Sequence, residues 1–113
     1  MFAPSCGEIW TVNLDPTTGH EQKGTRPGLI ISTDQFNQSP AELVVIIPLT
    51  TRQRNIPLHV RIEPPEGGIK QTSFAMCDNI RSISKQRLSE RWGVVSSITL
   101  TEIKDRLRLL FEI

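Results

Sequence analysis

The run "ELVVIIPL", residues 42–49, constrains the fold more than any other stretch of the chain. It is too short for an ordinary helix, rich in β-branched side chains and interrupted by proline. A strand with one wet face would alternate, and this one does not, so it predicts a strand covered on both faces or nearly so. "GLIIS" (28–32) reads the same way. Two other runs do alternate. "EIWTVNL" sets Trp10, Val12 and Leu14 against Thr11 and Asn13, and "PLHVRIE" sets Leu58, Val60 and Ile62 against His59, Arg61 and Glu63. Both have the period of half-buried strands. "PPEGG" makes a turn, and "SFAMCDNIRSI" predicts one further strand ending near Ile83, bent around Asp78 and Asn79.

Helical periodicity is confined to the tail. Thr99 is the expected N-cap, with Glu102 three residues on, and Leu100, Ile103, Leu107 and either Leu110 or Phe111 fall on one face. The chain has 113 residues and no repeat, low-complexity tract or linker. The expectation is a single domain over 1–113, of α+β class and mostly β. Five or six strands would curl into a barrel-like sheet closed by the C-terminal helix.

Charge and cysteine content narrow the function classes. The formal net charge is +1, so a nucleic-acid partner would need a local basic surface. "TTRQRNIPLHVR" and "RSISKQRLSER" are the two candidate segments. Cys6 and Cys77 form no CxxC, and with His20 and His59 they show no metal-ligand spacing; free thiols fit a reducing compartment. No apolar run approaches membrane-span length, and "MFAPSCGEIW" does not read as a signal peptide, which makes the expected location cytoplasmic.

Between the first two strands lies "DPTTGHEQKGTRP", which loads Asp15, His20, Glu21, Lys23 and Arg26 into a glycine-loosened connection. A plain turn needs none of these charges. "GEIWTVNLDPTTGHEQKGTRPGLII", "VVIIPLTT" and "CDNIRSISKQRL", in that order, resemble three motifs of the MazF/PemK family of toxin endoribonucleases, with the PemK/Kid branch nearest in its D-P-T, G-H-E-Q and G-T-R-P elements.

The resemblance implies an SH3-like barrel of the PemK/CcdB type with a C-terminal helix, usually a homodimer, held inactive by a cognate antitoxin. It implies metal-independent, cofactor-free, sequence-selective cleavage of single-stranded RNA. A ribose 2′-OH would attack the adjacent phosphorus to leave a cyclic phosphate and a 5′-OH. That chemistry needs a proton acceptor, a proton donor and groups that stabilise the phosphorane.

Arg26 matches the family arginine of R-P. A guanidinium is a poor proton donor, so its expected role is charge stabilisation. Thr50 matches the active threonine, with Thr51 as rival, since strand alternation lets one of the two face the groove. His20 and Asp78 match the stabiliser and base of the PemK branch, and Glu21 competes as proton acceptor. The general base stays open among these three. The arginine of that branch's R-C-D motif is absent: Met76 stands in its place.

Gln22, Lys23 and Thr25 are expected on an RNA-facing loop, and Thr51, Arg52, Arg54 and Arg81 are further candidate RNA contacts. Trp10 and Trp92 read as core or interface residues rather than stacking platforms. A groove of Lys23, Arg26, Arg52 and Arg54 suits an acidic antitoxin segment that folds on binding. Two other readings share the fold: a gyrase poison of the CcdB kind, and an inactive barrel that binds RNA or a peptide.

Overall fold

The computed structural model describes residues 3–16, 19–20 and 24–113. Seven antiparallel strands form the sheet: β1 (Glu8–Asn13), β2 (Thr25–Ile30), β3 (Leu43–Thr50), β4 (His59–Ile62), β5 (Ser73–Met76), β6 (Arg81–Ser84) and β7 (Leu88–Val94). Among the described residues two α-helices accompany them, the one-turn α1 (Asp34–Asn37) and α2 (Ser97–Phe111). The strand order is β4-β5-β3-β2-β1-β7, with β6 also paired to β3.

The apolar run read from the sequence is the hub. Along its length β3 pairs with β6 at Leu43–Ile46, with β2 at Ile46–Pro48 and with β5 at Leu49–Thr50. A strand that changes neighbours along its length bends the sheet around itself, which is how it becomes barrel-like.

Because β2 and β3 are apolar on alternate residues of both faces, the sheet separates two cores. Ile9, Leu29, Ile47, Leu49, Val60, Ile62 and Ala75 face one side with Ile103 of α2. Trp10, Val12, Leu14, Ile30, Val44, Ile46, Ile83 and Leu88 face the other. The expectation for Trp10, Val12 and Leu14 therefore holds, and Ile9 adds a second buried face to β1.

Three local expectations change. "SFAMCDNIRSI" is two strands, because a 3-10 turn over Cys77–Asn79 hands β3 from β5 to β6. "LSERWGV" is a strand, β7, paired with β1 through irregular register, and its polar composition hid it. The N-cap of α2 is Ser96 rather than Thr99: the Ser96 Oγ accepts from Thr99 N–H at 3.2 Å, and Ser96 N–H is held by Glu66 Oε2 at 2.9 Å. A cap with an outside partner fixes where the helix starts. Leu100, Ile103 and Leu107 join the core as expected, whereas Leu110 and Phe111 are exposed. No helix among the described residues is long and apolar enough to cross a membrane.

Candidate active site

Strand register brings Arg26 and Thr50 to the same end of the sheet. Gly28 pairs with Pro48 across β2 and β3, and Arg26 and Thr50 each lie two residues beyond that pair, at the same end. With a period of two, both side chains share the face of Gly28 and Pro48. Thr50 pairs in turn with Phe74, and Phe74 with Arg61. Thr50, Phe74 and Arg61 thus form a paired row across β3, β5 and β4, and Arg26 lies at the same end of β2, two residues beyond the last β2–β3 pair.

Thr50 is 8% exposed, and its Oγ1 accepts from Arg52 N–H at 3.2 Å. A hydroxyl that accepts through a lone pair still has its own hydrogen to donate. Thr51 is exposed on the opposite face, so alternation separates the threonine pair. Thr25, opposite Asn13, also faces away from Arg26.

The next row holds what the sequence did not reveal. His59 pairs with Met76, one step from the Phe74–Arg61 pair, and Asp78 follows in the 3-10 turn. His59 Nε2 lies 3.0 Å from Asp78 Oδ1, which also receives Asn79 Nδ2 at 3.4 Å. The His59 side chain is 4% exposed and Asp78 35%, so the carboxylate faces outward from a buried imidazole. The alternation of "PLHVRIE" turned His59 away from the core; only the β4–β5 register aims it at Asp78. Met76, which stands in sequence where the branch has its arginine, is buried opposite His59.

His20 is exposed on the loop, as are Arg52 and Arg54 after β3. Glu21, Gln22 and Lys23 lie outside the described residues. Arg81, opposite Ile46, shares the site's face, and its Nη1 is buried without a hydrogen-bond partner among the described residues. The rest of the second basic segment is engaged by other residues of the chain. Lys85 is buried near Glu42 (3.7 Å), Arg91 Nε donates to Glu8 Oε2 at 2.7 Å, and Arg87 Nη1 donates to the carbonyls of Asn13 (3.1 Å) and Asp15.

That last contact braces the loaded loop. Asp15 Oδ1 accepts Gly24 N–H at 2.9 Å, and Leu14 N–H donates to Gly24 O at 2.9 Å, so the two ends of the loop are tied just before Arg26. Gly24 sits at φ +81°, which a side chain would strain.

Burial pushes the Cys77 thiol up to about 11 and outweighs Arg106, so next to Asp78 it stays protonated at neutral pH. Burial also raises Cys6. Neither is a ready nucleophile. No group of three or more His, Cys, Asp or Glu suited to a metal occurs among the described residues.

Residues 5–111 match the family described as PemK-like, MazF-like toxin of type II toxin-antitoxin system. This chain belongs to the PemK/MazF toxin family. It is similar to Endoribonuclease PemK of Escherichia coli, 39% identical over 105 residues, covering 89% of this chain and 77% of that protein. Among solved structures, MazF from Deinococcus radiodurans superposes with a TM-score of 0.87 at 27% identity over 100% of both chains. An endoribonuclease in complex with its cognate antitoxin, from a mycobacterial species, gives 0.79 at 26% identity over 100% of this chain and 97% of that one. The PemK/MazF assignment bears out the expected barrel-like β fold with a C-terminal helix. Within that family the face bearing Arg26 and Thr50 is the candidate active site.

Proposed function

We propose that this chain is the RNA-cleaving toxin of a type II toxin–antitoxin pair, acting on single-stranded RNA in the cytoplasm. The observation that carries the reading is the placement of Arg26 and Thr50 on one sheet face, with the outward Asp78 carboxylate beside it. The likeness to an endoribonuclease supports it and does not favour a gyrase poison or an inactive barrel.

In this reading the 2′-oxygen forms a bond to phosphorus as the P–O5′ bond breaks. The 2′-OH proton passes to Asp78, whose orientation His59 holds, while Glu21 and His20 remain rival acceptors. The phosphorane charge is met by the Arg26 guanidinium and the Thr50 hydroxyl. The 5′-oxygen leaves with a proton from solvent or from His20. The substrate supplies its own nucleophile, so no metal is required.

Arg52, Arg54 and Arg81 would meet phosphates, as would Lys23, while Gln22 reads a base edge. An acidic antitoxin segment folding along the same cations would exclude RNA, and the toxin would work as a homodimer. The test is incubation of the purified protein with a long single-stranded RNA. Discrete fragments that a folded Arg26→Ala protein does not produce support the reading, and intact RNA with the wild-type protein overturns it.

A further inference from the structure

A cleft of about 490 Å³ opens on the face of β2 and β3 opposite Arg26 and Thr50. Its lining includes Pro27 and Thr51, the chain neighbours of those two residues, together with Ile69, Lys70, Gln71 and Trp92. We infer that this cleft is a nucleotide subsite that holds one base of the RNA flanking the cut. The inference rests on the RNA-cleavage reading and extends it.

The floor is rigid. Trp92 packs against the α2-side core and its Nε1 donates to Thr11 Oγ1 at 2.7 Å, which fixes the ring. The 3-10 turn at Glu66–Gly68 lies directly on β7: a Cβ on Gly68 would come within 2.3 Å of the Trp92 carbonyl oxygen, and one on Gly93 within 2.8 Å of Gly67. Glycine at both positions lets two backbones touch and sets the tryptophan at the cleft wall.

The chemistry of the lining suits a nucleotide. Trp92 and Pro27 offer apolar surface to a base. Gln71 and the Glu90 carboxylate offer donors and acceptors for its edge. Arg91 also lines the cleft but is engaged by Glu8, whereas Lys70 is exposed and makes no ion pair among the described residues. Lys70 is therefore the cation available to a phosphate. The route is short, since paired register between β2 and β3 ends at Gly28–Pro48 and the strand ends carrying Arg26, Pro27, Thr50 and Thr51 form the rim between the two faces.

The experiment uses the full chain and RNAs blocked by one 2′-deoxyribose at the cut, lengthened one nucleotide at a time on each flank. Wild-type affinity should rise in one step of about 5- to 20-fold when a particular flanking nucleotide is added. Lys70→Ala and Trp92→Leu should each remove most of that step, and Trp92→Phe should retain it. None should change cleavage of the unextended core RNA. Lys70→Ala should also lower the slope of log affinity against log salt by about 0.7 on the extended RNA.

Lys70 is exposed, so its variant keeps the test valid should Trp92→Leu fail to fold. The subsite is overturned if Lys70→Ala keeps the full step, if it weakens core and extended RNA alike, or if its effect is a change in oligomeric mass. If the wild-type protein neither binds nor cuts the core RNA, the cleavage reading falls and this one with it. Core cleavage without a flank step overturns the subsite alone.

Discussion

His59 and Asp78, nineteen residues apart in the chain, meet at 3.0 Å because β4 and β5 pair in a register that puts His59 opposite Met76. The imidazole is almost wholly buried and the carboxylate is not, so in the proposed mechanism His59 would act on substrate through Asp78 rather than directly. Asp78→Asn should lower the cleavage rate by about 100-fold or more while leaving RNA affinity near normal. His59→Ala should lower kcat by about 10-fold with little change in KM, and His59→Gln, which can still donate to the carboxylate, should recover part of it. Single-turnover kinetics decide the matter: full activity in Asp78→Asn removes it as proton acceptor and leaves Glu21 or His20.

Arg26 and Thr50 share one face two residues beyond the Gly28–Pro48 pair, and in the proposed mechanism both meet one phosphorane. Arg26→Ala and Thr50→Ala should each cost on the order of 100-fold in rate. The double variant should lose much less than the product of the two, as expected of groups that act as a unit. A folded Arg26→Ala protein that cleaves normally would sink the assignment.

Asp15 and Arg87 tie the base of the loaded loop from opposite sides, one through Gly24 N–H and the other through the Asn13 and Asp15 carbonyls. Arg87→Gln and Asp15→Ala should each reduce kcat by about 10-fold through misplacement of the loop and Arg26, since small displacements are costly in a positioned site. Thermal unfolding should move by only a few degrees, because these contacts are exposed. A large loss of stability with unchanged kcat in the folded fraction would assign them to the scaffold instead.

Glu8 is subject to a burial effect that raises its carboxyl. Hydrogen bonds from Ser5 N–H, Arg91 and Trp10, with the Arg91 charge, more than reverse it and hold the group below its ordinary value. A depressed folded value contributes stability above the unfolded carboxylate pKa, and that contribution disappears as pH falls through the folded value. Glu8→Gln should therefore be less stable than wild type at pH 7, and the two unfolding curves should converge in strong acid. Denaturant titrations across that range test this; a constant gap at every pH would exclude it.

Cleavage should persist in excess chelator and leave 2′,3′-cyclic phosphate and 5′-OH ends. A substrate with 2′-deoxyribose just 5′ of the scissile phosphate should bind but remain uncut, since affinity comes chiefly from phosphates and stacking. Efficient cutting of that substrate, or activity lost to chelator and restored by magnesium, would identify a hydrolytic metal nuclease.

By itself the sequence determined what local periodicity can express. The doubly apolar runs became β2 and β3, the alternation of "EIWTVNL" placed Trp10, Val12 and Leu14 inside, and the stretch from Asp15 to Pro27 marked a candidate site by carrying charges that no turn requires. Tertiary structure decided everything that depends on which strands lie side by side. Register put Thr50 rather than Thr51 with Arg26, aimed His59 at Asp78, and bound Lys85, Arg87 and Arg91 to partners far away in the chain. β7 was hidden for the same reason: "LSERWGV" has little apolar pattern, and pairing with β1 makes it a strand. Side-chain alternation is a property of one strand and is written in its own residues. The partner across a ladder is chosen by the burial of the whole sheet, and no single segment encodes that.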